Sequence, residues 1–267
     1  MTHFMIQRRS NHYKSFHFNE IRPGICDLIK KSIQGDYNYN KFKQPWVSRE
    51  NFFKNKDQDA FVKMIWSFGN NGDDYLFGEY IEPYKRSMHN CVVFGEFDDI
   101  SKTVTGINQW PEGILIKGRR LFIRNRIEYF RKTRIPEILK KYIRLQQLER
   151  LQQLEQLERL QQLEQLEQLE QLHFYNEDYR KVPIQKNSVI YCDIPYKNTA
   201  GYDSEFNHKE FFDWACAQTE PVFISEYEIT DPRFICIKEM RTKSKLAAVG
   251  SSTVAIERLY TTKQSIM

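Results

Sequence analysis

The stretch SVIYCDIPYKNTAGYDSEFNHKEFFDWACAQTEPVFISEY, residues 188–227, sets the fold class. Its apolar run Val189-Ile190-Tyr191-Cys192 reads as a short buried strand that stops at Asp193-Ile194-Pro195-Tyr196. The segment NHKEFFDWACAQ opens on Asn207, a helix-capping residue type, and puts Phe211 and Trp214 on one side, so it reads as a helix. EPVFISEY then reads as a second strand, and FICIKEMRT beyond it as another. Strand, helix, strand is an α/β pattern, and sheets of that class bind ligands at the carboxyl ends of their strands.

The residues at that end have a definite chemistry. The Asp193 carboxylate accepts hydrogen bonds from an amine. Pro195 disfavours the helical region for Ile194 and holds that residue's carbonyl in an extended, outward-facing geometry. Tyr196 offers an aromatic face for a flat base. Two acceptors and a stacking face suit an exocyclic amino group on a planar heterocycle. The same letters also describe a strand running into a turn, and context has to separate the two.

Outward from this stretch, YKSFHFNEI (Tyr13–Ile21) reads as a strand, and GICDLIKKSIQG as the helix after it, bounded by Pro23-Gly24 and Gly35. A chain of 267 residues with 40% apolar and 14% aromatic side chains has ample material for a folded core. No apolar run approaches the roughly 20 residues that span a bilayer, and no signal-peptide pattern opens the chain, so a cytoplasmic protein without a membrane partner is expected. The five cysteines are scattered, never spaced C-x-x-C, and predict neither a metal site nor a disulfide framework.

Charge is unevenly spread. Residues 117–144 carry eleven basic side chains against Glu128 and Glu137, an excess that suits a phosphate polyanion. A solvated basic helix with Phe122, Tyr129, Phe130 and Tyr142 on its apolar face is the plainer reading of the same segment. Next comes a repeat, residues 145–172, with leucine at every third position, ten in all, and six Glu against two Arg. Its residue types favour a helix. A period of three turns each leucine back by about 60° in an α-helix, so no continuous stripe forms and a coiled-coil seam is ruled out. The repeat is therefore expected to extend a surface helix, with an assembly arm as the alternative.

Taken together, VIYCDIPYKNTAGYDSEFNHKEFFDWA, FHFNEIRPGICDLI and MIWSFGNNGDDYLFGEYIEPYKR (Met64–Arg86) resemble the Dam-like DNA adenine-N6 methyltransferases of phage type. The resemblance spans nearly the whole chain outside the leucine repeat. The first segment is similar to the family's D-P-P-Y strand and its following helix, with Ile194 in place of a proline. It implies a Rossmann-like α/β methyltransferase sheet with an inserted target-recognition region and a Leu-rich helical repeat. Residues 1–50 and 173–267 would form the catalytic core, 51–144 the DNA-binding region and 145–172 the insertion. No Gly-rich segment of the F-x-G-x-G type precedes Tyr13, which implies an N-terminally incomplete sheet and donor pocket.

Carried over by residue, the resemblance implies that Asp193 and the Ile194 carbonyl accept the adenine amino hydrogens, that Pro195 completes the motif, and that Tyr196 stacks on a flipped base. Glu20 and Ile21, with Asp193, would bind S-adenosylmethionine, the methyl donor, and no metal is implied. Asn70, Asn71, Lys85 and Arg86 become candidate DNA contacts, joined by Lys117, Arg119, Arg120 and Arg124 of the basic segment. Asn70-Asn71-Gly72 also reads as a hairpin turn. The implied partner is double-stranded DNA in a bacterial cell or phage-infected host, with no obligate protein partner. A catalytically defective DNA-binding remnant and a scaffold assembling through the leucine repeat are the competing readings.

Overall fold

The computed structural model describes residues 13–38, 42–132, 151–169, 171–196, 206–243 and 254–263. The chain forms two compact units, residues 1–176 and 177–267. It is a mixed α/β protein whose described strands fall into two small sheets, one in each unit.

The first unit opens with β1 (Phe16–Asn19) and α1 (Ile25–Ile33). Gly24 caps α1 in a left-handed conformation, φ 76°, where a Cβ would also stand 2.9 Å from the Ala60 Cβ. That is why the helix starts after Pro23-Gly24. There follow α2 (Arg49–Asn55), α3 (Ala60–Ile65), α4 (Glu82–Val93), α5 (Asp99–Thr105), α6 (Ile116–Lys132) and α7 (Gln152–Gln161). The strand β2 (Leu172–Tyr175) closes the unit by pairing in parallel with β1, and Phe18 stacks on Phe174 at 5.3 Å.

The leucine repeat corrects the expectation of a surface helix. Leu151, Leu154 and Leu157 are buried against Met88, Val92, Val104, Ile123 and Ile127 of α4, α5 and α6. Leu160, displaced by about 120° from Leu154, packs instead on the neighbouring cluster of Phe52, Ile65, Trp66 and Phe77. The walk of the leucines around α7 thus serves two cores. After Gln161 the chain tightens into a 3₁₀-helix, Gln162–Gln168, seven residues long. Three residues per turn is the spacing of the repeat itself, so Leu163 and Leu166 share one side, and Leu166 is buried. Runs of 3₁₀ this long are uncommon, and here the sequence period matches the helix period.

The acidic bias of the repeat is also used internally. Arg120 of α6 pairs with Glu158 at 3.2 Å and Glu155 at 3.7 Å, and Lys117 lies 4.0 Å from Glu158. Gln153, fully buried, donates from Nε2 to His89 Nδ1 at 3.1 Å, while His89 Nε2 donates to the Gln44 carbonyl at 2.9 Å.

The second unit holds β3 (Ile190–Asp193), α8 (His208–Cys216), β4 (Val222–Glu226), β5 (Phe234–Lys243) and β6 (Val254–Thr262). Asn207 caps α8, its side chain accepting from the Glu210 N–H at 3.1 Å. The sheet order is β3-β4-β6-β5, with β3 parallel to β4 and β6 antiparallel to both its neighbours. Phe211 and Ala215 of α8 bury against Val222, Ile224 and Tyr260, which seats the helix on the sheet.

Candidate functional site

The motif segment lies at the carboxyl end of β3, beside the carboxyl end of its parallel neighbour β4. The register pairs Asp193 with Ser225, the last residue but one of β4. Asp193 is exposed, whereas Ile194 is only 6% exposed and belongs to the core cluster of Phe211, Ile224 and Tyr260. The Pro195 carbonyl accepts from His208 Nε2 at 2.9 Å, which ties the motif to the first residue of α8. Behind that ring lies Glu226, 1% exposed, with Oε2 3.8 Å from His208 Nε2 and Oε1 accepting the Tyr227 N–H at 2.7 Å.

Tyr196 is held from two sides. Its hydroxyl donates to Glu257 Oε1 at 2.8 Å and lies 2.9 Å from Ser225 Oγ, and its ring meets Tyr227 edge-on at 4.6 Å. Burial, together with the neighbouring carboxylates Glu257 and Asp193, holds its phenol well above the usual range. Burial and the Asp193 charge push the Cys192 thiol up to about 12, so it stays protonated near neutrality and is no nucleophile. Among the described residues, this end of the sheet therefore offers an exposed carboxylate and a fixed aromatic ring, and Cys192 is not an activated nucleophile. A carboxylate can accept hydrogen bonds and an aromatic ring can stack on a flat group.

Glu20 follows β1 in the first unit, so Glu20 and Asp193 belong to different sheets. The Glu20 N–H donates to the Tyr175 carbonyl at 3.2 Å, and its carboxylate is taken by Arg22, with contacts at 2.9 and 3.1 Å. Burial works to raise its pKa; the Arg22 hydrogen bonds and charge, with the Arg22 and Ile21 backbone N–H groups, outweigh burial and leave the carboxyl below its ordinary range. Ile21 is 64% exposed, and its carbonyl accepts from Asn176 Nδ2.

The candidate DNA contacts have different environments. Asn70 ends the short 3₁₀ turn Phe68–Asn70. Asn71 is a turn residue: Oδ1 accepts the N–H groups of Asp73 and Asp74, and Nδ2 donates to Asp74 Oδ2 at 2.9 Å. An isolated antiparallel bridge, Ser67–Tyr75, closes this loop. Lys85 is fully buried, its ammonium 5.4 Å from the Phe77 ring centroid, so it does not present a surface charge. Arg86, one position on, is exposed. In α6, Arg119 donates to the Val92 and Ile114 carbonyls and lies over the Trp110 ring, Arg120 and Lys117 face the repeat, and Arg124 is exposed.

Sequence reasoning singled out neither Ser225, Glu257 nor His208. They come from distant chain positions, and only strand register brings them to the motif. Among the described residues, no three His, Cys, Asp or Glu side chains are grouped to hold a metal ion, and no helix is long and apolar enough to cross a membrane. No protein-family model matches the chain, and no curated protein matches it.

Proposed function

We propose that this chain is a site-specific DNA methyltransferase acting on the N6 amino group of adenine, and that β3, α8 and β4 belong to a Rossmann-like methyltransferase sheet. The observation that carries the reading is the position of Asp193-Ile194-Pro195-Tyr196 at the carboxyl end of β3 in a strand–helix–strand unit, with the Asp193 carboxylate exposed. The Asp193 carboxylate and the Ile194 carbonyl accept the two amino hydrogens, which leaves the nitrogen lone pair available for attack. Tyr196 stacks on the base, its ring already oriented by Glu257 and Ser225. The target nucleotide leaves the duplex to reach these groups, because its amino nitrogen is inaccessible in the base stack.

S-adenosylmethionine supplies an electrophilic methyl group on a sulfonium. Glu20, a strand-end acid of the kind that holds ribose hydroxyls, is the residue to bind it. Its carboxylate is engaged by Arg22, with both side chains partly exposed. Exposed ion pairs are worth only about 0–1 kcal/mol, so a ribose diol can displace it. Arg124 and Arg86, exposed in the first unit, supply positive charge toward the DNA backbone and bases.

The test is direct. The full chain is incubated with radiolabelled S-adenosylmethionine and adenine-containing duplex DNA, and N6-methyladenine is measured by mass spectrometry after nuclease digestion. Methylated adenine that disappears with Asp193→Ala is the expected result. Absence of both N6-methyladenine and calorimetric donor binding overturns the reading.

A further inference from the structure

The strand ladder of the second unit fixes the motif backbone as far as Asp193, the last residue of β3 and the partner of Ser225. Ile194, Pro195 and Tyr196 lie beyond it, and the ladder does not direct their carbonyls. A side chain directs one of them. His208 Nε2 stands 2.9 Å from the Pro195 carbonyl oxygen, and Nδ1 of the same ring stands 3.1 Å from the Phe206 carbonyl. Carbonyl oxygens only accept, so the ring is the donor. An imidazolium serves both carbonyls. In a neutral ring, Glu226 Oε2, 3.8 Å from Nε2, is a second acceptor on that side and favours the Nε2–H tautomer. Either form gives its Nε2 proton to Pro195. The ring is also wedged in place, with Phe206 edge-on at 5.0 Å and Phe212 at 6.2 Å. Its backbone begins α8, whose Phe211 and Ala215 are buried on the sheet.

Resting on the DNA-methyltransferase reading, we infer that His208 is a positioning residue for methyl transfer: through the Pro195 carbonyl it sets the direction of the Ile194 carbonyl that holds the target amine. The Ile194–Pro195 peptide is a plane that carries the Ile194 oxygen. The pyrrolidine ring locks the next dihedral, φ of Pro195, at about −65°. One soft dihedral, ψ of Pro195, then separates that plane from the Pro195 carbonyl. With Pro195 tied to His208 and Asp193 tied to Ser225, the plane between them is held at both ends. The benefit falls in the transition state. As the amino nitrogen bonds to the methyl carbon, the carbon–sulfur bond breaks and its electron pair stays on sulfur. The nitrogen gains positive charge and afterwards releases a proton to water. Its N–H groups become stronger donors on the way, so an acceptor turned out of line costs rate more than affinity.

Two substitutions separate the ring's two bonds. His208→Gln keeps an N–H donor as many bonds from Cβ as Nε2, whereas His208→Asn keeps one only at the reach of Nδ1. Both lose the ring packing, so the difference between them isolates the bond to Pro195. The His208 side chain is 22% exposed, so neither change empties the core. Rates are measured for the full chain with S-adenosylmethionine and duplex DNA of mixed sequence, alongside urea midpoints. His208→Asn is expected to lower kcat about 10- to 100-fold with KM little changed, and His208→Gln to recover most of that loss at a similar midpoint. In chains labelled with carbon-13 at the proline carbonyls, the Pro195 resonance should move in His208→Asn and stay in His208→Gln. Equal kcat in wild type and His208→Asn overturns the inference alone, as do equal losses in both variants or an unmoved Pro195 resonance in His208→Asn. A wild-type chain that neither binds the donor nor methylates DNA overturns the methyltransferase reading, while the Pro195 resonance still shows whether His208 holds the motif.

Discussion

The Tyr196 hydroxyl donates to Glu257 Oε1 across 2.8 Å, and Ser225 Oγ donates to the same oxygen from 2.8 Å. One carboxylate oxygen from β6 therefore organises two hydroxyls at the end of the β3–β4 pair. Glu257→Ala removes the acceptor shared by the buried Ser225 hydroxyl and the half-buried Tyr196 hydroxyl, so it is expected to cost roughly 1–3 kcal/mol, while Tyr196→Phe removes one bond and costs about 0.5–1.5 kcal/mol. Urea unfolding should rank Glu257→Ala below Tyr196→Phe. The reverse order would show that the carboxylate is not the hub.

Ile194, which stands where the resemblance has proline, is a core residue by its side chain and a candidate acceptor by its backbone. The two roles separate experimentally. Ile194→Ala is expected to lower stability by about 2–4 kcal/mol, as other buried isoleucine truncations do, yet it keeps the carbonyl. Methyl transfer measured well below the unfolding midpoint should survive. Asp193→Ala should do the opposite, abolishing transfer and shifting the urea midpoint little, because its side chain is exposed. Loss of transfer in both variants at low temperature would mean the side chain of Ile194 does more than pack.

Parts of this arrangement were legible in the chain. The strand–helix–strand run at β3, α8 and β4 was readable because Asn207 caps the helix and the apolar runs are short and bounded. Gly24 and Gly35 likewise marked α1. The leucine repeat was not readable, because a period of three forms no stripe on an α-helix and matches only the 3₁₀-helix, which seldom runs long; its use by two cores and its passage into a 3₁₀-helix are decided by the surrounding packing. The burial of Lys85 was hidden for a similar reason, since a lysine in a turn-rich polar segment gives no sign of the aromatic ring it faces. The β6 strand escaped notice for want of clean alternation, and with it Glu257.

His89 carries a pH dependence of stability. Burial lowers its pKa to about 4 from 6.5, against the opposing hydrogen bond to the Gln44 carbonyl. The unfolded chain binds a proton near pH 6.5 that the folded chain refuses until about pH 4, so stability is full above 6.5 and falls as pH drops through that window. The maximum loss is roughly 3 kcal/mol. Urea midpoints between pH 7 and 4 should fall for wild type and fall less for His89→Gln. Equal slopes would place the titration elsewhere.

Leu154 and Leu157 set the repeat's role. Each is 1% exposed, so Leu154→Ala or Leu157→Ala should cost about 2–5 kcal/mol. Gln165→Ala, exposed beside Leu166, should change stability by no more than about 0.5 kcal/mol. Light scattering should show the same oligomeric state in all three. A leucine variant with unaltered stability and altered assembly would restore the arm interpretation.

Arg120 and Arg124 are one helical turn apart on α6, yet their surroundings assign them different duties. Arg120 is 18% exposed and faces two carboxylates of α7, so its charge is spent within the fold. Arg124 is exposed and makes no ion pair among the described residues. If the basic helix meets DNA, each phosphate-neutralising arginine contributes close to one unit to the slope of log affinity against log salt. Arg124→Ala should therefore reduce that slope by about 1 and leave the urea midpoint in place. Arg120→Ala should leave the slope nearly unaltered and lower stability by about 1–2 kcal/mol, because Glu155 and Glu158 lose their partner. Fluorescence titrations with one duplex at several salt concentrations measure the slope. Equal slopes for wild type and Arg124→Ala would remove this helix from the DNA interface, whatever its net charge.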